Sequence, residues 1–187
     1  MLKHFGEFGA YVEITGFSNV KIEDAEGFLK AVRLENQGVE VQFFSAELVA
    51  TWQHLYFAVL NALTAFNNQT NVSKSVAVET MLYASAQRQI KNAIALLGVK
   101  RDSARVAVVL VGESSNAVKA ALSAISKRLG AEADDAVLAL SAGKVQGIRK
   151  AFSISDVELE TVMAGDDAQR ALVDLVIERV ALLSTQL

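Results

Sequence analysis

Five cationic residues surround one predicted helix in the middle of the chain. Lys74 lies before the helix, and Arg88 and Lys91 lie at its start. Lys100 and Arg101 follow its end. Cations grouped around one turn can bind phosphate oxygens, and such contacts position a nucleic acid without reading its sequence. The alternative is that they are solvated helix ends, and the spacing leaves both interpretations open.

Glu79 and Arg88 are the charged residues on either side of the first predicted turn in this region. One interpretation is a partly buried ion pair that braces the turn. The others are a surface carboxylate without a partner and a direct contact between Arg88 and a binding partner. The spacing does not decide among the three.

Sequence motifs for catalysis and metal binding are absent. The chain has no cysteine and no G-x-x-x-x-G-K-[ST], G-x-G-x-x-G, G-x-S-x-G or H-E-x-x-H pattern. His54 has no second histidine or carboxylate one helical turn away, so we expect a packed histidine. The pairs Asp134–Asp135 and Asp166–Asp167 are expected at helix starts or in loops. We therefore predict no metal and no cofactor.

Composition limits the kinds of partner. The 187-residue chain has a formal net charge of -3 and a pI near 5.5, so bulk electrostatics do not bind it to nucleic acid, although a local basic patch remains allowed. No linker-like run or internal repeat divides it, and we predict a single domain over residues 1–187. The N-terminal residues lack a signal-peptide pattern, so a cytoplasmic location is expected.

Hydrophobic periodicity predicts the elements that position these residues. Alternating residues of strand-forming type indicate strands at residues 10–17, 39–44, 76–84 and 105–111. Apolar residues at helical spacing indicate helices at residues 21–34, 46–66, 86–97, 114–130, 142–151 and 167–183. The segment 134–140 is expected to be extended. The predicted fold class is α/β, with a mixed sheet of about four strands flanked by helices and a helical C-terminal part.

Local signals place the ends of several elements. Ser45 and Ser85 are predicted to cap the helices that follow them. Ser155 and Glu158 have the spacing of a capping box. Gly98 is predicted to end the central helix in the left-handed conformation that glycine adopts without steric cost.

Two helices have more apolar surface than one core contact can bury. No Asp, Glu, Lys or Arg lies between Glu47 and Lys74, but Gln53 and Asn61 argue against a membrane span, which needs about twenty apolar residues. The last helix is apolar over most of its circumference. Such a helix is normally buried on most sides. We expect another chain to cover part of these two helices.

A run of residues in the central region resembles the signature of a known family. It consists of Lys74, Glu79, Met81-Leu82-Tyr83, Arg88-Gln89-Ile90, Ala93-Ile94 and Gly98-Val99. The family is the PRPK-binding accessory subunit of the KEOPS complex, and the resemblance continues in order through residues 12–20, 44–63 and 148–155. Many members have glycine where this sequence has Ala86.

The resemblance implies a non-catalytic subunit. Such a subunit binds the small kinase-like ATPase of the complex, which binds the subunit that transfers threonylcarbamoyl to the adenosine beside the anticodon of certain tRNAs. It also contacts the 3′ CCA end of tRNA. On this basis we predict tRNA contacts at Lys74, Tyr83, Arg88, Gln89, Ile90, Lys91, Lys100 and Arg101. We predict contacts with the kinase-like ATPase at Leu55, Val59, Val173, Leu175, Val176, Ile177 and Val180.

Two other functions fit the same sequence. The first is a homo-oligomeric structural protein whose apolar helices pair with themselves, which light scattering on the isolated chain would reveal. The second is a small-molecule enzyme that uses Glu79, Tyr83 and His54. This enzyme requires the three side chains to converge on one cavity.

Overall fold

The computed structural model describes residues 1–163, 165 and 167–185. Within these residues the strands are β1 (Leu2–Phe5), β2 (Ala10–Ser18), β3 (Val39–Ser45) and β4 (Arg105–Gly112). The helices are α1 (Ala25–Glu35), α2 (Trp52–Asn67), α3 (Val76–Ser85), α4 (Ile90–Leu97), α5 (Ser115–Leu129), α6 (Ala142–Ala151), α7 (Asp156–Val162) and α8 (Ala168–Leu182). The predicted α/β class, with four strands, flanking helices and a helical C-terminal part, is confirmed.

The sheet has the order β1-β2-β4-β3, and every pair of neighbours is antiparallel. The prediction of a mixed sheet is therefore wrong. β2 and β3 run in the same direction, but β4 lies between them, with Val108 opposite both Thr15 and Phe43. Because β4 is antiparallel to each neighbour, no parallel pair forms in this sheet.

β4 is buried on both faces of the sheet. Val106, Val108 and Leu110 face the core that α1 and α5 cover. The alternate residues, including Ala107 and Val109, face a second core that contains α2 and α3. Successive side chains of a strand point to opposite faces, so a strand covered on both sides is apolar at every position.

The predicted strand at 76–84 is wrong, because this segment forms helix α3. Residues 79–85 are all buried, so the segment shows no polar face of helical period. Ser75 caps α3, and its Oγ accepts the Val78 N–H at 3.2 Å. Ser85, predicted to cap the next helix, is instead the last residue of α3. The fourth strand is β1, which pairs with β2.

Several predicted boundaries also change. α2 begins at Trp52, after a 3₁₀ turn at Ala46–Leu48, so Ser45 does not cap it. Residues Asp135–Leu138 form a 3₁₀ turn where an extended segment was expected. Gly98 ends α4 as predicted, but with φ −65° and ψ 152°, so the left-handed conformation is wrong. Glycine is needed here because a Cβ would lie 2.4 Å from the Ile94 carbonyl oxygen.

Other local predictions are confirmed. Ser155 and Glu158 form the capping box that begins α7. Asp134 accepts the Ala136 N–H and Asp167 accepts the Arg170 N–H, both at 2.9 Å. Asp166 lies outside the described residues. In the part of the chain that the structure describes, no helix combines the length and the apolar character needed to cross a bilayer.

Candidate functional site

The link between α3 and α4 is a tight turn of residues 86–89. Ala86 has φ 51° and ψ 37°, the left-handed conformation, and its N–H donates to the Tyr83 carbonyl at 3.0 Å. The Gln87 N–H donates to the Leu82 carbonyl at 3.1 Å. These bonds close the end of α3. The glycine that many members of the resembled family have at this position would adopt this conformation without strain.

Arg88, Gln89 and Ile90 are consecutive and exposed, and the Ile90 side chain is 43% exposed. Gln89 is the residue before the first turn of α4, and its side chain does not cap the helix. The first N–H groups of α4 therefore add positive potential beside the Arg88 side chain. We call residues 86–91 the cation turn. It combines a guanidinium, an amide and an exposed apolar side chain.

The remaining predicted cations are also exposed. Lys74 lies in the loop between α2 and α3, Lys91 in the first turn of α4, and Lys100 and Arg101 after the end of α4. Among the described residues, neither these four nor Arg88 forms an ion pair with a carboxylate. Exposed and unpaired cations can bind phosphate without first breaking an internal ion pair.

The ion pair between Glu79 and Arg88, one of the three interpretations that the spacing left open, does not form. The Glu79 carboxylate is 2% exposed and accepts the backbone N–H groups of Val72 and Ser73. Sequence spacing suggested a brace on the turn after α3. Glu79 instead braces the loop before α3, because it lies on the first turn of a helix and not in a strand.

Tyr83 contributes little to an exposed surface, since it is 7% exposed. It lines a cavity of about 70 Å³ together with Glu79, Arg88 and Thr70. Burial and the nearby Glu79 charge raise the pKa of Tyr83, and the Arg88 charge partly opposes this. Because Tyr83 is buried, a base could stack directly on its ring only if the surrounding residues moved apart.

An apolar groove of about 780 Å³ lies beside the cation turn. Leu34 of α1, which is 63% exposed, lines the groove together with Ile90 and Ile94 of α4 and Phe43 of β3. The groove shares Ile90 with the cation turn. No local sequence pattern marks this groove, because α1 and α4 are far apart in the chain and meet only in the fold.

Five of the predicted kinase contacts lie in the core. Each is at most 3% exposed: Leu55, Val59, Leu175, Val176 and Val180. They pack inside the protein and cannot contact a partner in this structure, so their assignment was wrong. Val173 and Ile177 are half-buried and remain available. Periodicity identified α2 and α8 as apolar but selected the wrong sides.

The outer side of α2 presents aromatic residues that the prediction missed. Trp52 and Tyr56 are half-buried and lie one turn apart, with ring centroids separated by 5.9 Å. Trp52 and Val173 line a cleft of about 460 Å³ that also contains Leu138 and Leu140. We call Trp52, Tyr56, Val173 and Ile177 the α2/α8 face. The absence of charged residues in α2 was the sequence signal for it.

Comparison with known proteins identifies the family. The family model described as kinase binding protein CGI-121 matches residues 17–184. The chain belongs to the CGI-121 family. It is 31% identical over 130 residues to the regulatory protein Cgi121 of Methanocaldococcus jannaschii, an alignment that covers 67% of this chain and 81% of the relative. The family predicted from the central motif is thus confirmed.

In this CGI-121 family member, His54 is a structural residue, as predicted. It is fully buried, and its Nδ1 accepts the Ala50 N–H at 3.3 Å while its Nε2–H donates to the Ala84 carbonyl at 2.7 Å. Burial lowers the pKa of His54 to about 4, and the bond to Ala84 partly opposes this shift. The neutral imidazole therefore joins α2 to the end of α3.

The small-molecule enzyme considered above requires Glu79, Tyr83 and His54 to line one cavity, and they do not. Glu79 and Tyr83 line one small cavity, but His54 does not line it, because both its ring nitrogens bind backbone groups elsewhere. Over the described residues, no group of three or more His, Cys, Asp or Glu side chains is arranged to hold a metal ion. The lack of a cofactor remains a prediction.

Lys144 is a buried cation on α6 of the CGI-121 chain, although lysine is rarely buried. It is 2% exposed and donates to the carbonyls of Val137 at 2.8 Å and Val49 at 3.4 Å. Burial lowers the pKa of Lys144 to about 8, and the charge of Arg105 acts in the same direction. Lys144 ties α6 to the loop segments beneath it.

Proposed function

We propose that this CGI-121 family member is a non-catalytic subunit of a KEOPS-type complex that makes threonylcarbamoyladenosine in tRNA. It binds a kinase-like ATPase of the PRPK type through the α2/α8 face and the 3′ CCA end of tRNA through the cation turn. The family match supports the kinase partner. The observation that carries the RNA part is the exposed sequence Arg88-Gln89-Ile90 at the uncapped start of α4.

The chemistry of the cation turn suits a single-stranded RNA end. Such ends are bound by cations on the phosphates and by apolar or aromatic side chains against unstacked bases. Arg88 provides a guanidinium and Ile90 an apolar contact, while Lys91, Lys74, Lys100 and Arg101 add exposed charge. Because the whole chain carries a net charge of -3, non-specific attraction to RNA is weak, and binding depends on local groups of exposed cations such as these.

The α2/α8 face has the composition of a protein interface. Interfaces are enriched in Trp and Tyr, and their strongest contacts are aromatic anchors next to clefts. Trp52 and Val173 line the same cleft.

The two proposed surfaces lie along the same helix. Val173 and Leu183 are ten residues apart along α8 and its 3₁₀ extension, which corresponds to roughly 15 Å of helix. Leu183 lines the cavity next to Arg88, so α8 connects the two surfaces.

Charge reversal tests the RNA part. The double variant Arg88→Glu with Lys100→Glu should weaken binding of labelled tRNA at least about tenfold in a fluorescence titration, because two phosphate contacts become repulsive. The matched control, Lys119→Glu with Lys127→Glu on the exposed side of α5, changes the net charge equally and should have a much smaller effect. A tRNA without CCA should bind wild type weakly. Equal losses of tRNA affinity in both double variants would mean that net charge alone causes the loss, and this would contradict the proposal.

Co-purification with the kinase-like subunit tests the second surface. Trp52→Ala and Val173→Asp should each abolish the complex while the protein remains folded with a lower unfolding temperature, since both side chains are half-buried. Val157→Asp, at an exposed position on α7, is the control. If folded Trp52→Ala protein still co-purifies with the kinase-like subunit, that subunit binds a different surface. Light scattering on the isolated chain separates kinase docking from self-association.

A further inference from the structure

Glu79 is a buried carboxylate without an ionic partner among the described residues. Its hydrogen bonds come from two backbone amides: the Val72 N–H lies 3.2 Å from each carboxylate oxygen and the Ser73 N–H lies 2.7 Å from Oε2. Burying a charge is costly unless hydrogen bonds compensate it. The carboxylate and the loop amides therefore fix each other.

These amides belong to the loop of residues 68–75, which joins α2 to α3. The loop has further internal bonds, from Asn71 Nδ2 to the Ser73 carbonyl at 2.8 Å and from Ser73 Oγ to the Ser75 carbonyl at 2.9 Å. Lys74 is the next residue after Ser73 and is exposed. The position of its backbone is thus set by the contact that Ser73 makes with Glu79.

The loop and the cation turn meet across α3. Thr70 and Val72 of the loop line the same small cavity as Arg88 of the turn, and Glu79 lines it too. Any displacement of residues 72 and 73 would therefore change the separation between the backbone of Lys74 and the turn that carries Arg88. Two cations on separate segments bind neighbouring phosphates well only when their spacing is fixed.

We propose that Glu79 is a positioning residue for RNA binding. By accepting the amides of Val72 and Ser73, it fixes the position of Lys74, before the start of α3, relative to the cation turn after the end of α3, so that Lys74 and Arg88 contact phosphates of the same strand. This inference rests on the proposed RNA function and deepens it, because it makes the loop before α3 part of the same site. Glu79 itself touches no RNA.

The test combines Glu79→Gln with Lys74→Ala. Each single variant should weaken tRNA binding about fivefold and reduce the slope of log affinity against log salt by about 0.7, the value for one phosphate contact on a single strand. The double variant should bind no more weakly than either single variant, since both remove the same contact. Glu40→Gln is the control, because Glu40 accepts the Ala77 N–H of the same helix but does not hold the loop.

Amide NMR spectra separate positioning from general destabilisation. Glu79→Gln should shift the Val72 and Ser73 amide signals and leave those of α4 in place. If the Glu79→Gln variant unfolds, a second variant is used in its place, with one glycine inserted between Ser73 and Lys74. This insertion leaves Glu79 bonded, releases Lys74, and should lower affinity by the same factor.

The outcomes distinguish this inference from the function on which it rests. If wild type does not bind tRNA, or if reversal at Arg88 has no effect, the proposed RNA function fails. If wild type binds and Arg88 matters, but Glu79→Gln binds equally well with shifted loop amides, the positioning role is overturned and the RNA function stands. Additive losses in the double variant, or full affinity of the glycine insertion, would also overturn the positioning role.

Discussion

The cation turn and the α2/α8 face differ in how their residues reach the surface. In the turn, Arg88, Gln89 and Ile90 are exposed together, because a tight link between two helices leaves its successive residues uncovered. On α8, neighbours have opposite environments: Val176 is fully buried and Ile177 is half-buried. A surface on a turn can thus be located from contiguous sequence, whereas a surface on a doubly packed helix requires knowledge of what covers each side.

The largest expected effect is a difference in stability between two substitutions on opposite sides of α8. Val176→Asp places a charge in the core and should destabilise the fold by more than about 4 kcal/mol, so that the variant is largely unfolded. Ile177→Asp should cost no more than about 1–2 kcal/mol and leave the protein folded, but prevent binding of the kinase-like subunit. Urea unfolding and co-purification measure the two effects. Similar stability for both variants would mean that the division of α8 into core and surface is incorrect.

A second prediction concerns the link between the two regions. His54 joins α2, which carries Trp52, to Ala84 at the end of α3, just before the cation turn. Its folded pKa of about 4 lies below its unfolded value of 6.5, so the unfolded chain takes up the proton first as the pH falls. This contribution to stability is complete above pH 6.5 and is lost toward pH 4, where the loss reaches about 3 kcal/mol.

Urea unfolding between pH 7 and pH 5 measures this effect, because most carboxylates remain charged in that range. His54→Gln should be less stable at pH 7 but should lose the downward slope. His4→Gln, at an exposed position on β1, should keep the wild-type slope. An unchanged slope in His54→Gln would show that another group causes the acid sensitivity.

The smallest expected effect concerns the cation turn itself. Ala86→Gly should raise the free energy of unfolding by about 0.5–1 kcal/mol, because glycine adopts the left-handed conformation at φ 51° without steric cost. Ala120→Gly, in the exposed interior of α5, should lower it by about 1 kcal/mol. Thermal and urea unfolding measure both. A loss of stability in Ala86→Gly would mean that the turn does not require this backbone conformation.

The sequence predicted amphipathic elements well and fully buried ones poorly. α5 and α6 were placed within one residue of their ends, because one side is polar and the other apolar. For α3 the sequence pattern wrongly predicts a strand, since nearly all of its residues are buried and no polar side marks the helical period. β1 was not predicted. Its four residues become a strand through pairing with β2, which local sequence does not reveal.

Burial of single polar residues also depended on the fold. Lys144 lies on a helix whose other charged residues face outward, yet the carbonyls of Val49 and Val137 accept its ammonium. In the sequence, Arg88 is a candidate ion-pair partner for Glu79, nine residues away. In the structure, the Glu79 carboxylate accepts the loop amides of Val72 and Ser73. In both cases the partner is a backbone group, which every residue carries and which sequence therefore cannot specify.

Local motifs and residues adjacent in the chain are sufficient to identify the family, the α/β class and the group of cations around α4. Four features depend on packing between distant parts of the chain. They are the turn at residues 86–89, the antiparallel order of the sheet, the exposed side of α2 and α8, and the groove between α1 and α4. Burial depends on how two elements pack against each other. An apolar side chain has the same local signal whether its neighbour is the protein's own core or a partner, and only the packed fold shows which side remains open.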